Sequence, residues 1–137
     1  MTAKAIKFKN FGGPEVLEWV DVAKPSINAD QLLLKVKAAG INPIDAKIRE
    51  GSSFVAQTLE LPAGMGFDVC GEVVEAGSNI TEFKIGDIVL GSVGKYHNPG
   101  AYAEFCVASP KDIVIKPEGL DNIYAGADGK VIVEKDC

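Results

Sequence analysis

The stretch Gln31-Leu32-Leu33-Leu34-Lys35-Val36-Lys37-Ala38-Ala39-Gly40-Ile41-Asn42-Pro43-Ile44-Asp45-Ala46-Lys47-Ile48-Arg49-Glu50-Gly51 changes its periodicity halfway along. Up to Ala38 it alternates: Leu32, Leu34, Val36 and Ala38 share one face, and Gln31, Leu33, Lys35 and Lys37 share the other. That pattern predicts a half-buried strand. Beyond Gly40 the chemistry becomes helical. Asn42 is a capping residue type, Pro43 suits the first helical position, Ile44 and Ile48 fall one turn apart, and Gly51 supplies a stop. About two turns are expected, at roughly 3.6 residues per turn. A strand that runs into a proline-started helix fixes the polar side chains at the junction. Asn42 there would hold an amide donor and acceptor at a set position. The same residues equally suit a purely structural task, Asn42 as cap and Asp45 as first-turn charge, and the residues alone leave both readings open.

Short alternating or apolar runs recur on either side of this stretch, separated by Gly, Pro and Asn. They are Lys4 to Phe8, Val16 to Val22, Val69 to Glu75, Ile88 to Gly91, Ala101 to Ala108, Ile113 to Ile115 and Val131 to Val133. The spacing predicts a mainly β, mostly antiparallel barrel or sandwich with one or two short helices. Gly64, Gly66 and Gly71 crowd one strand entrance, where a close backbone approach is expected. With 137 residues, 47% of them hydrophobic, the chain suits one core and one domain. Net charge is −5, and the 14 Lys and Arg residues are scattered, so no basic stripe is expected to bind nucleic acid. Neither a signal-type apolar stretch nor a run long enough to cross a bilayer is present, which predicts a cytoplasmic protein without membrane contacts. Cys70, Cys106 and Cys137 are too few and too far apart for a disulfide framework and read as reduced thiols, the first two buried.

Three further stretches fall in register with the junction: Gly64-Met65-Gly66-Phe67-Asp68-Val69-Cys70-Gly71-Glu72-Val73-Val74-Glu75-Ala76-Gly77, then Phe83-Lys84-Ile85-Gly86-Asp87-Ile88-Val89, then Gly100-Ala101-Tyr102-Ala103-Glu104-Phe105. Together they resemble the GroES-like domain of the medium-chain dehydrogenase/reductase superfamily, in its zinc-free quinone- and enone-reductase branch, over about Lys4 to Asp121. The resemblance implies a partly open GroES-like β barrel. It implies a parent activity of hydride transfer from NADPH to an activated carbonyl, alkene or quinone, chemistry that belongs to the cofactor. It places Asn42 and Asp45 as catalytic residues facing the nicotinamide and substrate cleft, with Lys47 and Phe67 lining it for substrate. Related quinone reductases often carry Tyr where this chain has Lys47, which bears on substrate preference.

The same resemblance says what to expect missing. The zinc alcohol dehydrogenase branch has Cys at the position of Asn42 and a His-Glu pair at Phe67-Asp68, so no catalytic metal is expected. No Cys or Asp stands at a short chelating spacing from His97, the only histidine, and a solvent-facing loop residue is its default reading. Gly91-Ser92-Val93-Gly94-Lys95-Tyr96 ends like a P-loop, but its spacing is wrong and Tyr96 replaces the magnesium-binding hydroxyl residue. Gly64-x-Gly66 is followed by Val69 rather than a third glycine, so no cofactor-binding residue is assigned.

By resemblance, residues 1–121 form the substrate domain and 122–137 are a returning C-terminal segment that completes it, the nucleotide domain being absent between Asp121 and Asn122. This leads to three expectations. The chain alone does not turn over; an apolar patch near Asn42, Phe67 and the 121–122 junction is exposed; and a homodimer through that face is possible. A reductase completed by a partner chain, or a non-enzymatic interaction module like the co-chaperonin that names the fold, are the competing readings.

Overall fold

A computed structural model describes residues 2–94, 100–122 and 132–134. In chain order the strands are β1 (Thr2–Phe8), β2 (Leu17–Ala23), β3 (Leu32–Gly40), β4 (Ala63–Gly64), β5 (Asp68–Ala76), β6 (Ile88–Ser92), β7 (Phe105–Ala108), β8 (Ile113–Ile115) and β9 (Ile132–Glu134). The helix α1 (Pro43–Glu50) follows β3, and short 3-10 turns occupy Pro14–Val16, Phe54–Thr58 and Pro110–Asp112. One sheet has the order β2-β1-β4; the other has the order β7-β3-β5-β6-β8, with β9 also on β3. Every described pairing is antiparallel. Among the described residues the fold is mainly β, with two sheets and no closed barrel.

β3 organises the larger sheet. One edge pairs with β5 along nearly its whole length, and the other is shared, with β7 opposite Leu32 to Lys35 and β9 opposite Ala38 to Gly40. A strand flanked on both sides has few backbone groups left for water, which suits the apolar run that encodes it. Leu32, Leu34 and Val36 enter a core cluster with Val69, Val73, Val89, Cys106 and Ile113. Leu33, expected on the polar face, is also fully buried. Register shifts at Leu33/Leu34 and again at Val36/Ala38 break the strict alternation, and a bulge re-aims side chains in this way.

The second core cluster lies under α1 and the smaller sheet, where Phe8, Ile48, Val55, Ala63, Met65 and Phe67 pack together. Asn42 and Pro43 open α1 as the sequence predicts, and Gly51 closes it with φ of 84° while its N–H bonds back to Ile48.

The two sheets meet along a seam that alternation did not foresee. Of the expected strand Ala101 to Ala108, only Phe105–Ala108 is a strand. The preceding residues send their backbone bonds elsewhere: Ala101 N–H to Gly66 O, Tyr102 N–H to Met65 O and Glu104 N–H to Lys4 O, at 2.9–3.0 Å. Ile6 N–H donates to Tyr102 O at 2.8 Å, and Ala5 and Ala103 form an isolated bridge. This segment therefore stitches β1 to the loop before β5 and cannot ladder with one neighbour. β4, of two residues, was too short to leave a periodic signal.

Cys70 and Cys106 are free thiols and buried, as expected. Burial pushes the Cys106 thiol up to about 12. His97, Cys137 and the end of the P-loop-like stretch lie outside the described residues.

Candidate functional site

The junction after β3 places four polar side chains together. Ala39 pairs with Val69, so the end of β3 lies beside the start of β5, and the chain then turns into α1. Asn42, with extended backbone at φ −124° and ψ 156°, is the N-cap. Its N–H donates to Asp45 Oδ2 at 2.8 Å, and Asp45 N–H donates to Asn42 O at 3.0 Å. Asp45 thus reaches back over the cap in the manner of a capping box. The Asn42 carboxamide points across to β5, where Nδ2 donates to Asp68 Oδ2 at 2.7 Å. A contact of that length to a carboxylate is charge-assisted and fixes the plane of the amide.

Beneath this pair lies Tyr102, whose hydroxyl is 3.0 Å from Gly40 O and 3.1 Å from Asp45 Oδ2. Gly66 makes room for the tyrosine ring. Its φ is +92°, and a Cβ there would stand 2.5 Å from Tyr102 Cδ1. Asp45 is 3% exposed, and its Oδ1 is buried with no hydrogen-bond partner among the described residues. Burial raises the Asp45 carboxyl above its ordinary value, and the Asp68 charge adds to this, while the hydrogen bond from Asn42 N–H opposes it. The Tyr102 hydroxyl is raised too, by burial first and then by the neighbouring Asp45.

The structure therefore joins Asn42 and Asp45 through the cap and adds Asp68 and Tyr102 to them. Lys47 is exposed on α1 and joins no hydrogen bond of this junction. Phe67, expected to line the cleft, is 2% exposed and packs in the core with Phe8, Met65 and Val55. An aromatic ring gains more from that apolar contact than from a water-facing position, so the expected exposed patch does not include it. Ile41, next to Asn42 in the chain, and Leu120, next to Asp121, do reach solvent.

Tyr102 was missed because it lies 57 residues from Asp45 in a segment read as plain strand. The available signal was Gly66, whose lack of a side chain leaves room for a bulky neighbour.

Among the described residues no three His, Cys, Asp or Glu side chains converge on a possible metal position. Asn42 already donates an amide N–H to Asp68, and Phe67 carries no donor atom. The arrangement can present an oriented amide, with a second N–H, to an oxygen-bearing ligand beside one carboxylate.

Residues 28–118 match the family described as the alcohol dehydrogenase GroES-like domain. The chain belongs to that family. This GroES-like domain is 42% identical, over 114 residues, to the chloroplastic quinone-oxidoreductase homolog of Spinacia oleracea, covering 82% of the chain and 34% of that protein. It is 38% identical over 132 residues to the chloroplastic NADPH-dependent alkenal/one oxidoreductase of Arabidopsis thaliana, covering 92% of the chain and 33% of the relative. Among solved structures, the quinone oxidoreductase from Coxiella burnetii superposes with a TM-score of 0.90 at 46% identity, over 92% of this chain and 40% of that one. These similarities put the GroES-like domain in the quinone oxidoreductase branch of the medium-chain dehydrogenase/reductase superfamily. The chain spans about a third of the length of these curated relatives. No helix among the described residues is long and apolar enough to cross a membrane.

Proposed function

We propose that this GroES-like domain supplies the substrate-side wall of an NADPH-dependent quinone or enone reductase. The observation that carries the reading is the Asn42–Asp68 contact of 2.7 Å at the β3–α1 junction. It holds an amide donor rigidly at the position the family resemblance assigns to chemistry, in a donor set unsuited to zinc. The names of the spinach and Arabidopsis relatives support the substrate class and the nucleotide.

The residues described fit only part of NADPH. They offer no glycine-rich cradle at a helix N-terminus for a diphosphate, since α1 begins with Pro43 and its cap is closed by Asp45. When bound, NADPH would supply the hydride; Asn42 would contribute an amide that orients the acceptor's oxygen. The diphosphate must then be held by a nucleotide-binding domain, in the same polypeptide or in a partner, and the isolated GroES-like domain does not turn over. Asp45 is too deeply buried to touch substrate and acts through the cap of α1.

The test is NADPH oxidation with a 1,4-quinone and with an α,β-unsaturated ketone. It uses the longest polypeptide that contains these residues, and its Asn42→Ala variant. A drop of roughly tenfold or more in kcat/KM for Asn42→Ala, with the fold intact, is expected from loss of one oriented donor. Unchanged kcat/KM in Asn42→Ala would remove Asn42 from the site, and turnover by residues 1–137 alone would refute the need for a second domain.

A further inference from the structure

The site contains more acceptors than protons if both of its carboxyl groups are ionised. Tyr102 has one hydroxyl proton and two acceptors within reach, Gly40 O at 3.0 Å and Asp45 Oδ2 at 3.1 Å. Asp45 Oδ2 already accepts Asn42 N–H, while Oδ1 is buried and meets no donor among the described residues. An ionised carboxylate left with a bare, buried oxygen is costly, and more so with the Asp68 carboxylate nearby. A neutral acid resolves the count. Its O–H donates to the Tyr102 oxygen, Tyr102 donates to Gly40 O, and the only group left unpaired is an uncharged carbonyl oxygen.

We propose that Asp45 is held in the fold as a neutral carboxylic acid, with Tyr102 as the positioning residue that accepts its proton and hands its own to the Gly40 carbonyl. Every proton then has an acceptor, and no atom changes its covalent partner. The consequence is electrostatic. The titratable groups facing Asp45 are Asp68 from β5 and Tyr102 from the seam. With Asp45 and Tyr102 both neutral, Asp68 alone carries negative charge beside the Asn42 amide. Tyr102 therefore sets the charge of the junction without touching a ligand. The inference concerns the site of the proposed reductase but does not depend on that activity, because it is read without nucleotide or substrate.

The experiment is a pH titration of the chain labelled with carboxyl-13C aspartate, followed by NMR, with the Asp45 resonance assigned by its absence in Asp45→Asn. The Asp45 signal should stay in its protonated position above the ordinary carboxylate midpoint of 3.8. In Tyr102→Phe the midpoint should fall, because the neutral acid loses its acceptor. A rise in that variant would mean that Tyr102 donates to an ionised Asp45, and would overturn the assignment. A wild-type midpoint at or below 3.8 would overturn it without any variant, so the test survives if Tyr102→Phe fails to fold.

Discussion

Replacing Gly66 with alanine tests how the seam and the site depend on each other. The new Cβ would stand 2.5 Å and 2.6 Å from two atoms of the Tyr102 ring, where ordinary contact begins at 3.4 Å, so the ring must retreat by about 0.9 Å. The hydroxyl contacts of 3.0 Å and 3.1 Å cannot survive a retreat of that size. At φ of +92°, alanine also costs roughly 1–2 kcal/mol in backbone strain, reduced by about 0.5 kcal/mol through the lower entropy of its unfolded chain. Loss of the buried hydroxyl bonds adds about 1–3 kcal/mol. The sum is a destabilisation of about 1.5–4.5 kcal/mol, to be measured by urea unfolding. In a Tyr102→Ala background there is no ring to displace, and Gly66→Ala should then cost only about 1 kcal/mol of residual backbone strain. A double-mutant cycle should therefore show coupling of at least about 1 kcal/mol. Equal costs in the two backgrounds would refute the claim that Gly66 exists to seat Tyr102.

Stability should also depend on pH through Asp45. Its carboxyl binds its proton more tightly in the folded chain than at the ordinary value of 3.8, so the native state holds more protons above that pH. The contribution is complete below 3.8 and is lost as pH rises through the folded value; Asp45→Asn should flatten that part of a urea stability profile. Phe67→Ala should destabilise by about 3–5 kcal/mol, as for any large buried aromatic, and a change within about 0.5 kcal/mol would return Phe67 to the surface. Thiol reagent added to native protein at neutral pH should leave Cys106 unmodified until denaturant is added, because its thiol is buried and raised to about 12. Rapid native labelling of Cys106 would show that the β3–β7 interface opens easily.

Legibility in the sequence followed the range of the forces involved. The strands β1, β3, β5, β6 and β8 came from local alternation, and α1 with its cap from Asn42, Pro43 and Gly51, all of which act within a few residues. The pairing of Asn42 with Asp45 was within reach for the same reason, being three residues long. The burial of Phe67 was not legible because a phenylalanine beside a glycine turn reads the same whether its ring points inward or out. Its contacts with Phe8 and Val55 exist only once the smaller sheet has closed over α1. Tyr102 needed two long-range facts at once: the end of β3 lying against β5, and the seam lying beneath both.

The seam has one more consequence. Because Tyr102 gives its backbone to β1 and the Met65 loop, and its side chain to the β3–α1 junction, parting of the two sheets and loss of the junction's geometry are a single event. The amide protons of Ile6, Ala101, Tyr102 and Glu104 should accordingly exchange with solvent deuterium at one common rate, and a bound molecule that slows one of them should slow all four.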